Sequence, residues 1–465
     1  MAATRCARRR LSTARSSCAP APISTPSPNS PHRPAQRKIP MNFRPRLLPS
    51  RTVPCWLALA AASCATAGEW SHIQGPAYDR KTSEGATGTW KTGEPRRIWE
   101  MKADGGFSSF VTGDGKAFTV VPIEGGGREA AVAIDRKTGK PLWQTALGVS
   151  EYANGGARGA RGNDGGDGPR ATPVFAAGRV FVFGAKFDLT ALDAATGKVV
   201  WKRDLIADFG GKELHWANSA SPLLVGDKVI VAGGGRNQTF LAFKAATGEV
   251  VWKSGTDRVT YSTPVFAKIH GQDHALFMVE RGLVALDPAT GKELWHYPFP
   301  YRTATCASPV VWNDIVNVTA GYGVGGGACK VTFAGGKWEA VELWRSPGNR
   351  DTAAHWSTAV VHDGFLYGCY GHGEYGGGAF KCIDIRTGEV KWQQPGFGHG
   401  QVILAGNRLL ATTDAGVLKL IEPTPAGYRE LVSADIIAGK VWASPALSDG
   451  HVLLRSTTGG VCVEL

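Results

Sequence analysis

Short runs of alternating apolar and polar residues fill most of this chain, and they recur in a fixed order. In and just before ALDAATGKVVW (191–201), Leu189, Ala191 and Asp193 share one parity while Thr190 and Leu192 share the other, as in a strand. Asp-x-x-Thr-Gly then reads as a turn. The Asp and Thr oxygens accept from nearby backbone N–H groups, and the Gly takes a positive φ that closes a short hairpin. The chain returns as a second strand ending in Trp201. Related stretches end at Trp143, Trp252, Trp295 and Trp392. Five copies at intervals of roughly 40–58 residues predict a propeller or solenoid.

The intervening segments supply the other strands. Ser/Thr-Pro followed by apolar residues marks inner strands at 171–176, 220–225, 262–267, 307–312 and 443–448, with Pro-free variants at 107–112 and 356–361. Second strands follow at 116–121, 179–184, 228–233, 274–279, 314–319, 365–370, 408–413 and 451–456, which predicts eight four-stranded blades. The fold class expected is all-β, an eight-bladed propeller. Trp143, Trp201, Trp252, Trp295, Trp344 and Trp392 are expected to dock across blade boundaries. Blade five carries a longer hairpin (330–344) that keeps Trp344. Blade seven places Leu431 where a Trp is expected, which weakens that seam. The last blade stops at 460–465 without an outer strand. The strand 96–101, with Trp99 in the docking position, is expected to complete it and remove both free edges.

Charge changes the picture only once it is located. The formal net charge is +13, but eleven of the 52 Lys and Arg lie in residues 1–67, which contain no Asp or Glu, leaving 41 basic against 39 acidic residues in the body. A nucleic-acid partner therefore loses its main support. Residues 1–40, rich in Arg, Ser and Pro, read as a mis-start, a disordered extension or an organelle transit segment. Residues 41–67 read as a signal peptide, with a basic start, an apolar run at 55–65 and an Ala65-Thr66-Ala67 cleavage site. The apolar run is too short for a transmembrane span. The expected product, 68–465, is a single propeller, a monomer exported to the periplasm or beyond. Cys64 offers only a weak match to a lipid-anchoring site.

The repeats resemble the pyrroloquinoline quinone (PQQ) type propeller repeat with its tryptophan-docking motif, over about residues 70–465. Exported bacterial PQQ-binding-like propellers, the propeller of the outer-membrane barrel-assembly machinery and quinoprotein dehydrogenases share that repeat. The resemblance implies three functions: a non-catalytic binding propeller, an assembly scaffold, or a calcium- and PQQ-dependent alcohol dehydrogenase. The dehydrogenases are marked by an adjacent Cys-Cys disulfide, calcium held by acidic and amide side chains, and an Asp base, and no Cys-Cys pair is present here. The reading adopted is therefore non-catalytic, with no cofactor or metal predicted; PQQ with calcium remains the alternative.

The face opposite the Thr-Gly turns carries Gly-rich loops at 124–129, 233–239, 321–327 and 371–378 and a set of aromatic, basic and polar residues between blades. His215, Trp216, Asn218, Tyr261, Arg302, Arg350, Asp351, His355, Trp356, Glu374, His399 and Trp442 are the candidate ligand-binding residues. Envelope protein, glycan or small ligand are the expected partners. The competing reading is that Trp216, Trp356 and Trp442 only cap the inner strands. Asp351 and His355 form a weak acid/base pair, and Asp164 and Asp167 sit in a Gly-rich insertion (154–168). Of Cys306, Cys329, Cys369, Cys382 and Cys462, Cys382 and Cys462 occupy the motif's small-residue slot, and Cys369 with Cys382 is the pair placed for a disulfide.

Overall fold

The computed structural model describes residues 68–86, 90, 94–150, 168–349, 351–371 and 378–465. Their strands form eight sheets, seven of four antiparallel strands and one in which a short parallel strand, Lys81–Thr82, is added to such a set of four. Blades 1 to 7 occupy 111–149, 174–204, 223–254, 265–298, 310–346, 360–394 and 402–435. Blade 8 combines the three strands within 446–464 with Arg96–Lys102, which pairs antiparallel to Gly459–Glu464 and closes the ring.

Strand register gives each slot of the repeat its physical role. Ala133, Ala191, Ala242, Ala285, Ala328, Cys382 and Cys462 lie directly opposite Trp143, Trp201, Trp252, Trp295, Trp344, Trp392 and Trp99. A small side chain there leaves room for the indole. Most of these indoles then reach the next sheet. Trp201 Nε1 donates to Ala245 O at 2.9 Å and Trp143 Nε1 to Ala194 O at 3.1 Å; Trp99, Trp252, Trp344 and Trp392 make the equivalent bond. The turn glycine of the next blade lies flat on the ring: at Gly248, with φ of 70°, an added Cβ would come within 2.6 Å of Trp201. That glycine therefore serves both the positive φ and the close approach. In the turn itself, the Thr196 hydroxyl and N–H both donate to Asp193 and hold its carboxyl below the ordinary range.

Two seams depart from this pattern. Blade 5 has a ten-residue hairpin pair instead of the short turn, so the Trp295 N–H finds no acceptor. The seam is held another way. The Tyr297 hydroxyl donates to Glu342 at 2.7 Å, and Arg345 donates to the same hydroxyl at 2.9 Å. In blade 7 the register corrects the sequence expectation. Leu420 faces Val432 and Ile421 faces Glu430, so Val432 holds the Trp position and Leu431 is the bulged residue, 46% exposed. The extra residue of a bulge shifts the parity by one, which a motif count without the Thr-Gly landmark cannot detect. The five body cysteines are free; Cys382 faces Tyr367 and Cys369 faces Phe380, so the disulfide expectation is withdrawn.

The Ser/Thr-Pro signals form a ring around the central channel. Ser109 N–H donates to Thr172 Oγ1, Thr172 N–H to Ser221 Oγ and Ser221 N–H to Thr263 Oγ1. Ser308 N–H donates to Thr358 Oγ1, and Ser444 N–H closes onto Ser109 Oγ, all at 2.8–3.0 Å. The hydroxyls of Ser109, Thr172, Ser221, Thr263 and Thr358 each satisfy a backbone donor of the neighbouring blade where an inner strand would otherwise leave it bare. Thr172→Val keeps the shape and removes the acceptor for Ser109. A loss of about 1–3 kcal/mol of stability is expected in urea unfolding, and an unchanged midpoint would show that the ring contributes nothing.

The segment that fills the channel carries neither the repeat nor any motif. Residues 68–86 enter beside the turns that join inner and second strands, fold back inside the channel, and leave along blade 7. Gly68 O accepts from Ser448, Trp70 exchanges hydrogen bonds with Thr112, Ser71 O accepts from Phe175 N, and His72 bonds Pro222 O at 3.1 Å. The Tyr78 hydroxyl donates to Leu224 O at 2.6 Å, and Lys81–Thr82 lies parallel to Leu404–Ala405. This plug touches the inner strands of blades 1, 2, 3, 7 and 8 directly.

Candidate functional site

The plug stops partway along the channel and becomes the floor of a funnel that opens on the face carrying the inter-blade loops. Ile73, Gln74 and Arg80 form that floor. Above them stands the hydroxyl ring, and above the ring a second tier, two residues earlier in every blade: Phe107, Arg170, Ser219, Tyr261, Cys306, Trp356, His399 and Trp442. All of these except His399 line a cavity of about 150 Å³. Backbone parity explains the tier, because residues two apart in an extended segment project the same way.

The aromatic members of the tier are packed on one another. Phe107 stacks on Trp442 at 4.7 Å and Trp442 on Trp356 at 4.5 Å, with His399 edge-on to both indoles. His355 meets Trp356 at 4.3 Å and Tyr322 at 4.8 Å. The opposite wall is Trp216 against Tyr261, at 5.8 Å. Lys440 lies over the Trp442 ring at 4.8 Å.

Trp216, Tyr261, His355, Trp356 and Trp442, singled out from sequence, thus come together around one cavity, and His399 buttresses it. The others do not. His215 stands edge-on to Trp216 outside the lining. Asn218 is buried and its amide group ties the backbone at Phe183 and Ala220. Arg302 is exposed and reaches Tyr322 O at 3.4 Å. Asp351 is exposed, away from the lining, so it forms no acid/base pair with His355 there. Arg350, Glu374, Asp164 and Asp167 lie outside the described residues. Phe107, Arg170, Ser219 and Cys306 were missed, although their position two residues before the ring hydroxyl would have found them.

The described residues that line the cavity include no acid. Arg80 and Arg170 are its charged lining groups. Arg170 donates to Trp216 O at 3.3 Å. Arg80 is fully buried, and desolvation pulls its guanidinium down to about 10, which leaves it charged at neutral pH. Burial pushes the Cys306 thiol up to about 12, so it is a neutral wall group and not a nucleophile. Burial also raises Tyr261 to about 12, against the N–H of Trp216 that donates to its hydroxyl.

A family model described as outer membrane protein assembly factor BamB, of the PQQ-repeat type, matches residues 127–394, more than half of the chain. The chain belongs to this PQQ-repeat family. A BamB of Burkholderia pseudomallei is 24% identical over 70% of this chain and 77% of its own length. A quinoprotein ethanol dehydrogenase of Pseudomonas aeruginosa is 29% identical over 28% of this chain and 23% of that enzyme. Among solved structures, the quinohemoprotein alcohol dehydrogenase of Comamonas testosteroni superposes with a TM-score of 0.62 at 16% identity, covering 87% of this chain and 81% of that one. BamB of Moraxella catarrhalis gives 0.55 at 14% identity, covering 80% of this chain and all of that one. These superpositions establish the shared propeller fold.

Because PQQ-repeat propellers include quinoproteins, the funnel can be tested against a calcium-held quinone. Calcium takes six to eight oxygen ligands. Among the described residues no three His, Cys, Asp or Glu side chains gather, and the buried acids of this face are engaged elsewhere, Asp257 with Arg281, Asp188 with Lys202 and Glu129 with the Ala185 N–H. A ring sandwiched between two aromatic planes needs about 7 Å, twice a van der Waals contact. The stacked Phe107, Trp442 and Trp356 leave no such slot between them. The described residues do not fit that cofactor.

Proposed function

We propose that this protein is an exported, non-catalytic PQQ-repeat propeller that binds a small ligand in its aromatic funnel. The observation carrying this reading is the two-tier cavity: an apolar wall of Trp, Tyr and Phe side chains over a floor closed by the plug. Such a shape favours a compact, partly flat molecule over a long polymer. Export through the leader at 41–67, with cleavage near Gly68, is supported by the engagement of Gly68 with blade 8, directly after Ala65-Thr66-Ala67. No helix of the described residues is long and apolar enough to cross a membrane.

Titration of the full chain with single-ring aromatic compounds, followed by tryptophan emission, tests the binding reading. Saturable quenching is expected, weakened about tenfold in a Trp356→Leu variant. No saturable response to any of them would overturn it. A second reading, docking of an envelope protein on the same face, is favoured by the match to 77% of the Burkholderia BamB, an assembly factor by name. Crosslinking from Trp216 or His355 replacements in envelope extracts would distinguish it.

A further inference from the structure

Arg80 is a cation without a counter-ion at the bottom of an aromatic cavity. Its Nε donates to Val402 O at 3.0 Å, and Nη2 donates to Ser444 Oγ at 2.8 Å and Gln401 Oε1 at 3.2 Å. Nη1 makes one long bond of 3.4 Å to Gln74 Oε1. All four acceptors are neutral, and one of the five guanidinium hydrogens has no acceptor. Other arginines of the molecule are handled differently. Arg136, Arg281, Arg345 and Arg386 each meet a carboxylate. Arg455, equally buried, rests on Thr119, Val120 and Gly105 oxygens but does not line the cavity. Burying a lone charge is costly, and three neutral side chains and one carbonyl offset that cost only in part. Gln74, Gln401 and Ser444, which already surround Arg80, all face the same cavity.

We infer that the funnel floor is a carboxylate subsite, and that the ligand is a small single-ring aromatic carboxylate. The inference rests on the binding reading above and adds the ligand's charge and size. The carboxylate is received by Arg80 Nη1 with the amide groups of Gln74 and Gln401 beside it, while the ring rests against the indole and phenyl wall. Size follows from volume: about 150 Å³ is the scale of a cavity that holds one benzene ring. The position of Arg80 on the plug, and not on a blade, makes the N-terminal segment part of the recognition surface.

The test compares benzoate with benzamide, equal in shape and different in charge, by calorimetry and tryptophan emission on the full chain at pH 7. Benzoate is expected to bind about tenfold tighter or more, the range of a hydrogen bond to a charged group. Arg80→Gln is expected to erase that preference, bringing benzoate down to about the affinity of benzamide for the same variant. Equal affinity for the two compounds would overturn the carboxylate subsite and leave the funnel reading standing. Binding of neither would overturn both. A folded Arg80→Gln protein that still prefers benzoate would also overturn the assignment. Should that variant fail to fold, the comparison on the unaltered protein still decides.

Discussion

Replacing Trp201 by alanine is expected to lower the unfolding free energy by about 3–5 kcal/mol, the range for truncating a large buried aromatic. Three contacts disappear together. The indole covers Ala191 within its own blade, donates to Ala245 O on the next blade, and supports the Gly248 turn from beneath. The carbonyl of Ala245 is left without its partner, and blade 3 loses the surface on which its turn rests. Neighbouring rings add to the effect, since Phe181 and Phe243 flank the indole at 6.0 and 6.3 Å. Val432→Ala at the seventh seam removes two methyl groups and should cost no more than about 2 kcal/mol. Leu431→Ala, on an exposed bulge, should change stability by less than about 0.5 kcal/mol. Urea unfolding of the three variants checks the ranking. A loss at Leu431 matching that at Trp201 would refute the blade 7 register.

Acidification from pH 7 to pH 5 is expected to cost about 2 kcal/mol of stability through His72 alone. Inside the plug, desolvation pulls this imidazole down to about 3, against an ordinary value of 6.5. Its two nitrogens are committed: Gln74 N–H donates to Nδ1 at 3.1 Å, so Nε2 carries the proton that Pro222 O accepts. An imidazolium would turn a second N–H against the N–H of Gln74. The unfolded chain takes up the proton at 6.5 and the folded one only near 3, so stability is fully present above 6.5 and declines as the pH falls toward 3. Asp79, in the same segment, is shifted upward by burial and acts in the opposite direction at lower pH. His72→Gln retains a side-chain donor without a titrating ring. Its denaturation midpoint should vary much less between pH 7 and 5 than that of the parent; an equal slope in both would exclude His72 as the cause.

The blades were legible because each slot of the repeat is a local physical requirement. The small residue opposite the Trp, the Asp and Thr that bridge the turn, and the Gly resting on the preceding blade's indole each need only their own few neighbours. Blade 7 shows where this stops, since without Thr-Gly nothing in 420–432 marks the bulge that moves Val432 into place. The site was half legible. Trp356, Trp442 and Tyr261 stand out by type, whereas Phe107 and Cys306 are ordinary residues made functional by a shared register. The plug left no trace, because 68–86 has neither period nor motif and owes its conformation to contacts as distant as Arg80 with Ser444. Long-range pairing of that kind cannot be read from spacing.

The joining of Arg96–Lys102 to Gly459–Glu464 also sets a schedule for the chain's synthesis. Arg96–Lys102 must wait for a partner more than three hundred residues later before its blade exists. Early blades can collapse as they emerge, but the circle is sealed only after Gly459–Glu464 has been made. Such non-local closure is slow. Once sealed, release of either end requires melting the eighth blade, so resistance to proteolysis should appear abruptly at the end of folding and not build up blade by blade.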